Sequence, residues 1–549
     1  MPDMPSAPGP VSCGGGGGKQ GKGKGKAKGK AKNQGGSNTK GDGKGENKGK
    51  GKGKNKGEGD EEQPKVKTAT QAMKTAADQI LECRSWESTL ASSDTPPALR
   101  SAILVDVTKF VDALENARKD VEDKHGIVFS QEDLAGFWAH WRQHMPPHPA
   151  TDLHVPVGLA GDDTQYNLAG AKLIVNLLSF PLYNPASSKL CRWPYFVLRY
   201  ELSIGERTLD PIWRVAAWSL NIAFTGVHPA RGPCGEAWPK GSARAKLADK
   251  KMPCSYTLTE LRGDWKYHRE TFGLKRHYNA NAICLFCSAS KRRGSQALGT
   301  LQTSRGFHPF MVKLCSMHMS NLGALQWVNA GVLLGLLERG FFGDPVRLPL
   351  GQRLQIVTIR FRRWCSIHGV LQSQPFLTVG MLHLSSPQGP ELTLKAYHGR
   401  VFVQFMAACC QALLQQCGNN DDELVLLQAV SHGFASWHLR LEAFPRVLTY
   451  GQARELRTSM DENLRVYKLL ATRHSAAGSL RFPLRPKLHG LQEICYFMEQ
   501  HLISCRFWHT FRDEDAMGFT KRVCRRVHKG LLEVRTLCRL LMRYRSEEH

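Results

Sequence analysis

The chain has 549 residues, a formal net charge of +27 and 41% hydrophobic residues. This length accommodates about two to four domains, and the apolar fraction is sufficient for a sizeable core. No apolar run reaches the roughly 18 residues that a membrane helix needs, and no secretory signal is visible, so a membrane, secreted or collagen-like protein is not expected. The 16 cysteines are therefore expected to be thiols or metal ligands rather than disulfides.

Residues 1–64 form a low-complexity arm rich in glycine and lysine. The arm has 14 lysines against seven acidic residues, a net charge of +7, and no aromatic residue. Such a segment buries too little surface to offset its ordering entropy, so we predict that it is disordered. Either it binds nucleic acid non-specifically as a polycation, or it only improves solubility. The remaining +20 lies on residues 65–549, and this excess favours a polyanionic partner.

Residues 65–150 are predicted to form a small helical region. Ser130 is followed by Glu132 and Asp133 and then by an apolar face that includes Leu134 and Trp138, a pattern typical of a helix start. A packing role is favoured here over a DNA-reading helix-turn-helix, because the segment that links the two predicted helices is long.

Residues 151–319 are predicted to form a mixed α/β region with strands at 153–160, 172–180, 193–202 and 255–261. A helix from 211 to about 224 separates the third strand from the fourth. Residues 320–485 are predicted to be mainly helical, and residues 486–549 supply further C-terminal helices. Acids stand at the ends of the first and fourth strands, where we expect them to meet at one edge of a sheet.

These acids are candidates for a two-metal site. Carboxylates can hold two Mg²⁺ ions roughly 3.5–4 Å apart, as phosphodiester cleavage requires. The first acid is Asp162 or Asp163 and the second is Asp264, while the third is one of Asp513, Glu514 and Asp515. The alternative is that these residues only cap turns and helices, as Asp and Glu commonly do.

A second candidate site consists of thiols and an imidazole. Cys284 and Cys287 form a C-x2-C pair, and Cys315 and His318 form a C-x2-H pair, with 27 residues between the two pairs. Three thiolates and one imidazole suit a tetrahedral Zn²⁺, which would be structural because no coordination position is left for a substrate. Buried free cysteines are the alternative, and the rival ligands are His308, Cys365 and His368.

Basic side chains that could contact phosphates occur in two places. One is the loop between the two zinc-ligand pairs, and the other is the C-terminal region, where an amphipathic helix packed on the core is the simpler interpretation. The candidate nucleic-acid-binding residues are Lys291, Arg292, Arg293, Arg522, Arg526 and Lys529.

Together these segments resemble the catalytic region of DDE transposases of the CACTA-like type, over residues 153–529. In that family the first acid follows the first strand, as in Gly161-Asp162, and the second follows the fourth strand, as in Gly263-Asp264. The C-x2-C and C-x2-H pairs also match. The third acid opens a helix with the pattern Glu-x-x-Met-Gly-x-x-Lys, which residues 514–521 reproduce, so the resemblance selects Glu514.

The resemblance implies an RNase H-like mixed sheet with a large helical insertion, two catalytic Mg²⁺ ions, a structural Zn²⁺ and a location in the nucleus. Its implied activity is DNA strand cleavage followed by strand transfer, with transposon ends, target DNA and a second copy of the chain as partners. Alternatives remain open: an inactive, transposon-derived nucleic-acid-binding protein, a zinc-stabilised interaction protein, or an RNase of the same fold.

Overall fold

A computed structural model describes residues 130–183, 191–272, 303–418 and 420–546. The predictions for the basic arm and for most of residues 65–150 lie outside this part of the chain, as do those for Cys284, Cys287 and the Lys291–Arg293 loop. Within the described ranges, no helix combines the length and apolar character needed to cross a membrane.

The α/β part of the chain is built on one mixed sheet of five strands in the order β3-β2-β1-β4-β5. β1 pairs antiparallel with β2, and β2 pairs antiparallel with β3, whereas β4 lies parallel to both β1 and β5. The strands are β1 (His154–Gln165), β2 (Lys172–Ser179), β3 (Trp193–Arg199), β4 (Ser255–Gly263) and β5 (Val312–Leu314).

Four of these strands match the predicted runs, with one correction. β1 does not end before the adjacent acids but continues through Asp162 and Asp163 to Gln165, because β2 pairs with it over that whole stretch. β5 was not predicted, since its three residues give no alternating pattern.

Helices surround the sheet and form a separate block after it. The N-terminal ones are α1 (Gln131–His144), α2 (Glu206–Thr225), α3 (Ala243–Leu247) and α4 (Trp265–Phe272). The helical block begins with a π-helix (Met317–Ala324) and continues with α5 (Leu325–Glu338), α6 (Leu350–Ile367), α7 (Ala396–Cys417), α8 (Asp422–Ala443), α9 (Tyr450–Ala476) and α10 (Pro486–His501). The chain then forms α11 (Phe511–Cys524) and α12 (Leu532–Ser546). Ser130 caps α1 by accepting a hydrogen bond from Asp133 N, as its pattern predicted.

The two faces of the sheet pack on different helices. Ile174 and Leu178 of β2 belong to the core shared with α2 and the helical block. Val175 and Leu177 point to the opposite face and pack with residues of α11 and α12, among them Met517. This alternation follows from the two-residue period of a strand. It places α11 over the face of the sheet to which the Val175 side chain points.

A buried ionic network ties α11 to the sheet. Arg262 of β4, with a side chain only 2% exposed, lies 2.8 Å from Glu260 and 3.5 Å from Asp513 of α11. Arg192 also pairs with Asp513, and Arg446 lies 3.3 Å from Glu260. Because removing one member of a buried ion pair typically costs about 3–5 kcal/mol, this network fixes where the first turn of α11 sits.

We predict that Gly161→Ala destabilises the protein by about 1–3 kcal/mol through overpacking. A Cβ at Gly161 would lie 2.3 Å from the Tyr267 hydroxyl and 2.6 Å from the backbone oxygen of Val175. The matched control is Gly136→Ala in α1, where a Cβ meets nothing within 4 Å, and which should stabilise the helix by about 0.5–1 kcal/mol. Chemical denaturation of both variants tests this, and equal stabilities would contradict it.

Candidate metal centre

The register of β1 separates the two neighbouring acids that the sequence left unresolved. Asp162 stands opposite Val175 and Asp163 stands opposite Ile174. Residues directly opposite in an antiparallel pair project to the same face. Asp162 therefore lies on the α11 side of the sheet, and Asp163 lies on the α2 side.

Asp163 is engaged by lysines and lies outside the acid cluster. Its carboxylate lies 3.1 Å from Lys172 Nζ and also pairs with Lys266. Burial opposes ionisation of Asp163, but the hydrogen bonds from Lys266 and Lys172 outweigh it and lower the pKa below its usual value. The structure thus gives Asp163 a pairing role and leaves Asp162 as the first acid of the candidate site.

The third acid comes from the first turn of α11. The helix begins at Phe511, so Asp513 and Glu514 both lie in its first turn. Asp513 is buried against the arginines of the ionic network, whereas Glu514 and Asp515 are both exposed. Of the three acids, Glu514 is the one that has a ligand atom within 4.8 Å of ligand atoms of Asp162 and His318.

Asp162, Glu514 and His318 converge at this edge. Each offers one ligand atom, and the three atoms all lie within 4.8 Å of one another. His318 Nε2 is 3.5 Å from Glu514 Oε1. Two carboxylates and an imidazole at these separations can bind one divalent cation, since both group types are common ligands of such ions.

Asp264 lies beside this group and also serves as a helix cap. Its Oδ1 accepts a hydrogen bond of 2.6 Å from Tyr267 N in the first turn of α4. Its negative charge acts on Asp162, Glu514 and His318. Asp264 can therefore cap α4 and also contribute its negative charge to the candidate site.

The centre carries an excess of negative charge. Burial, followed by the charges of Asp264 and Glu514, raises the pKa of Asp162 to about 8. Burial, followed by the charges of Asp264 and Asp513, raises the pKa of Glu514 to about 7. Among residues that the structure describes, neither Asp162 nor Glu514 forms an ion pair with a lysine or arginine, while the negative charge of Asp264 acts on the nearby Lys487. A cation bound here would favour the ionised carboxylates.

The two described members of the predicted zinc set have different surroundings. His318 lies among the carboxylates, whereas Cys315 is buried, with its sulfur 3.0 Å from Thr510 Oγ1 and accepting a hydrogen bond from Thr510 N at 3.3 Å. Burial raises the pKa of the Cys315 thiol to about 11. Because the structure does not describe Cys284 and Cys287, a zinc site with four ligands stays a prediction.

The rival zinc ligands also have local roles in the described structure. His308 Nδ1 accepts a hydrogen bond from Phe310 N at 3.3 Å. Cys365 is buried in α6, and the His368 ring lies 4.4 Å from that of Trp364.

Sequence reasoning assigned His318 to zinc and missed its place beside the acids. The signal that could have placed it is β5, which ends at Leu314 and runs parallel to β4. Parallel strands end at the same edge of a sheet, so the residues after β5 arrive beside Asp264, which follows β4.

The C-terminal basic residues lie near the same helix. Arg522 and Arg526 are exposed on and directly after α11, and Lys529 is exposed in the following turn. Arg525, between these residues, is also exposed, and its Nε donates to Tyr166 O at 3.2 Å.

No family model matches the chain, and no curated protein matches it.

We predict that Asp162→Asn stabilises the chelator-treated protein at alkaline pH. The folded state holds the Asp162 proton up to about pH 8, whereas the unfolded chain loses it near its ordinary pKa of about 4. The free energy of unfolding should therefore fall as the pH rises from about 4 to about 8. The Asp162→Asn variant, which has no proton to lose, should show a weaker fall over this range. At pH 8.5 the unfolding midpoint of Asp162→Asn should therefore be higher than that of the unsubstituted protein, by less than the roughly 2–4 °C per kcal/mol that applies to domains of 150–250 residues.

Asp163→Asn is the matched control on the same strand. It removes the partner of Lys172 and Lys266, so the unfolding midpoint should fall slightly rather than rise, by less than about 1 kcal/mol in stability for such partly exposed pairs. Thermal unfolding of both variants from pH 5 to pH 8.5 makes the comparison. A lower midpoint for Asp162→Asn would contradict the electrostatic description of the centre.

Proposed function

We propose that this chain is a divalent-metal-dependent, DDE transposase-like enzyme that cleaves DNA strands and transfers them, with an RNase H-like catalytic sheet. One observation carries the proposal: Asp162 and Glu514, from opposite ends of the α/β region, bring ligand atoms within 4.8 Å of each other and of His318. A catalytically inactive nucleic-acid-binding protein is the alternative that the experiments below distinguish.

The order of the elements supports this proposal. Three strands, a helix and a fourth strand precede a block of helices, and the final acid lies on a helix after that block. Asp162 lies within β1, Asp264 directly follows β4 and Glu514 lies in the first turn of α11, an order close to the one that the resemblance to DDE transposases implies. The site residues also fit the cofactor, since Mg²⁺ is usually held by only a few carboxylates together with water and substrate phosphate.

Each residue has a defined role in the proposed reaction. Asp162, Asp264 and Glu514 would hold the cations, whose chemistry is to activate the attacking oxygen and stabilise the leaving oxygen of the phosphodiester. The interactions of Asp513 with Arg192 and Arg262 hold the first turn of α11 in place. The hydrogen bond from Tyr267 N orients Asp264. Positioning of this kind is the main contribution of a protein to phosphoryl transfer.

The same helix that carries Glu514 offers a path for a nucleic-acid backbone. Glu514, Gly518 and Arg522 follow one another at four-residue spacing, which places them on one face of α11. A Cβ at Gly518 would have only Arg522 Nη1 nearby, at 3.9 Å, so the helix surface is open there. Exposed arginines beyond an open surface could bind phosphates without reading base sequence. A nuclear location and assembly with a second copy belong to the same proposal.

We predict that Asp162→Asn and Glu514→Gln each reduce metal-dependent nicking of supercoiled DNA by roughly 100-fold or more, the scale of removing one transition-state stabiliser. Both substitutions keep side-chain shape and remove one negative charge. The assay uses full-length protein with Mg²⁺ or Mn²⁺, and DNA binding is measured in parallel and should be retained.

Asp163→Asn and Asp515→Asn are the matched controls, since each removes an adjacent carboxylate that lies outside the cluster, and both should keep nicking activity. If all four variants nick equally well, the carboxylates are not the catalytic groups. If the wild-type protein binds DNA but nicks it with neither metal, the inactive nucleic-acid-binding alternative becomes the better account.

We predict that the double variant Arg522→Ala, Arg526→Ala weakens DNA binding on all sequences. Each lost phosphate contact lowers the slope of log affinity against log salt by about 1, so the double variant should lower it by about 2. Fluorescence anisotropy over a salt series measures the slope. The control is Arg454→Ala, Arg465→Ala, which removes two exposed charges from α9. Equal effects of the two double variants would show that net charge, rather than the α11 surface, governs binding.

A further inference from the structure

We infer that His318 is a metal ligand of this centre and that the centre therefore prefers Mn²⁺, a divalent ion that accepts nitrogen as well as oxygen ligands, over Mg²⁺. This inference rests on the metal centre of the proposed function. It assigns to the C-x2-H pattern a role other than the structural zinc site that the sequence suggested.

The backbone places His318 at the sheet edge. His318 lies in the first turn of the π-helix that follows β5. Leu322 in this helix departs from helical geometry, with φ −100° and ψ 22°, and its carbonyl accepts a hydrogen bond of 2.7 Å from Lys487 Nζ. π-helical segments are rare in proteins and frequently occur at functional sites. Here the irregular turn brings an imidazole within ligand distance of two carboxylates.

A chain of polar contacts orients the imidazole. His318 Nδ1 lies 3.3 Å from Thr510 Oγ1, and that hydroxyl lies 3.0 Å from Cys315 Sγ. With Nδ1 protonated and donating to Thr510, and the threonine hydroxyl donating to the sulfur, every contact in the chain is satisfied. Nε2 then keeps its lone pair, and Nε2 is the atom that faces Glu514 Oε1 at 3.5 Å. Metal-bound histidines are commonly held in this way by a partner on the second ring nitrogen.

The ligand set determines the metal class. Mg²⁺ binds oxygen ligands and retains several waters. Imidazole suits later divalent ions, while carboxylates suit Mg²⁺ and Mn²⁺ alike. An imidazole added to two carboxylates therefore raises affinity for Mn²⁺ more than for Mg²⁺. By contrast, if the His318–Glu514 contact is only a side-chain pair, the imidazole contributes nothing to the choice of metal.

The test measures metal binding by the full-length protein, independently of catalysis. Free Mn²⁺ is followed by electron paramagnetic resonance during titration with MnCl₂, and MgCl₂ is then used as a competitor. We expect His318→Ala to lower Mn²⁺ affinity by about 10–100-fold, the scale seen for metal-site substitutions, and to reduce Mg²⁺ affinity much less. His432→Ala, an exposed histidine of α8, is the control and should change neither affinity.

Two further measurements keep the inference testable if His318→Ala folds poorly. Pulsed electron paramagnetic resonance of the wild-type Mn²⁺ complex should show coupling to a directly bound imidazole ¹⁴N. Thr510 is a positioning residue in this account, so Thr510→Val should lower Mn²⁺ affinity and weaken that ¹⁴N signal, whereas Thr510→Ser, which keeps the hydroxyl, should restore both.

The outcomes separate this inference from the proposed function. Absence of the ¹⁴N coupling, or equal losses of Mn²⁺ and Mg²⁺ affinity in His318→Ala, overturns the ligand role of His318. If Asp162→Asn still abolishes metal binding in that case, the carboxylate centre stands without the imidazole. If neither Mn²⁺ nor Mg²⁺ binds the wild-type protein, the inference and the proposed function fall together.

Discussion

The buried contact between Arg262 and Asp513 is the constraint on which the arrangement of the candidate centre depends. It joins β4 to α11 across 251 residues of sequence. Asp162, Asp264 and Glu514 repel one another, so without an anchor their mutual repulsion would favour moving α11 away from the sheet. Arg192 and Arg262 neutralise Asp513, the immediate neighbour of Glu514, and hold the helix against that repulsion.

The same arrangement explains why the centre has raised carboxylate pKa values. The nearby arginines are committed to Asp513 and Glu260, and the lysines next to β1 are committed to Asp163. The charged or polar side chains that remain near Asp162 and Glu514 are those of Asp264 and the His318 imidazole. Such a cluster reduces stability in exchange for a strong attraction to cations, a common compromise at functional sites.

Much of this arrangement could be predicted from the sequence, because the strands carry clear apolar runs and the acids stand beside them. The choice between Asp162 and Asp163 could not, because it depends on strand register, which one sequence does not reveal. The place of His318 was missed because β5 is too short to recognise, and the C-x2-H spacing also matches a zinc site. The contact between Arg262 and Asp513 gave no local signal, since the two residues lie 251 positions apart in sequence.

The most direct test of the central claim is a crystal structure of the full-length protein soaked in Mn²⁺, with anomalous scattering used to locate the ion. The account predicts an anomalous peak between Asp162 and Glu514, at metal–ligand distances of about 2.0–2.3 Å, with His318 Nε2 facing the ion. An ion bound elsewhere, with Glu514 turned toward solvent, would contradict the account and leave the acids as capping and pairing residues.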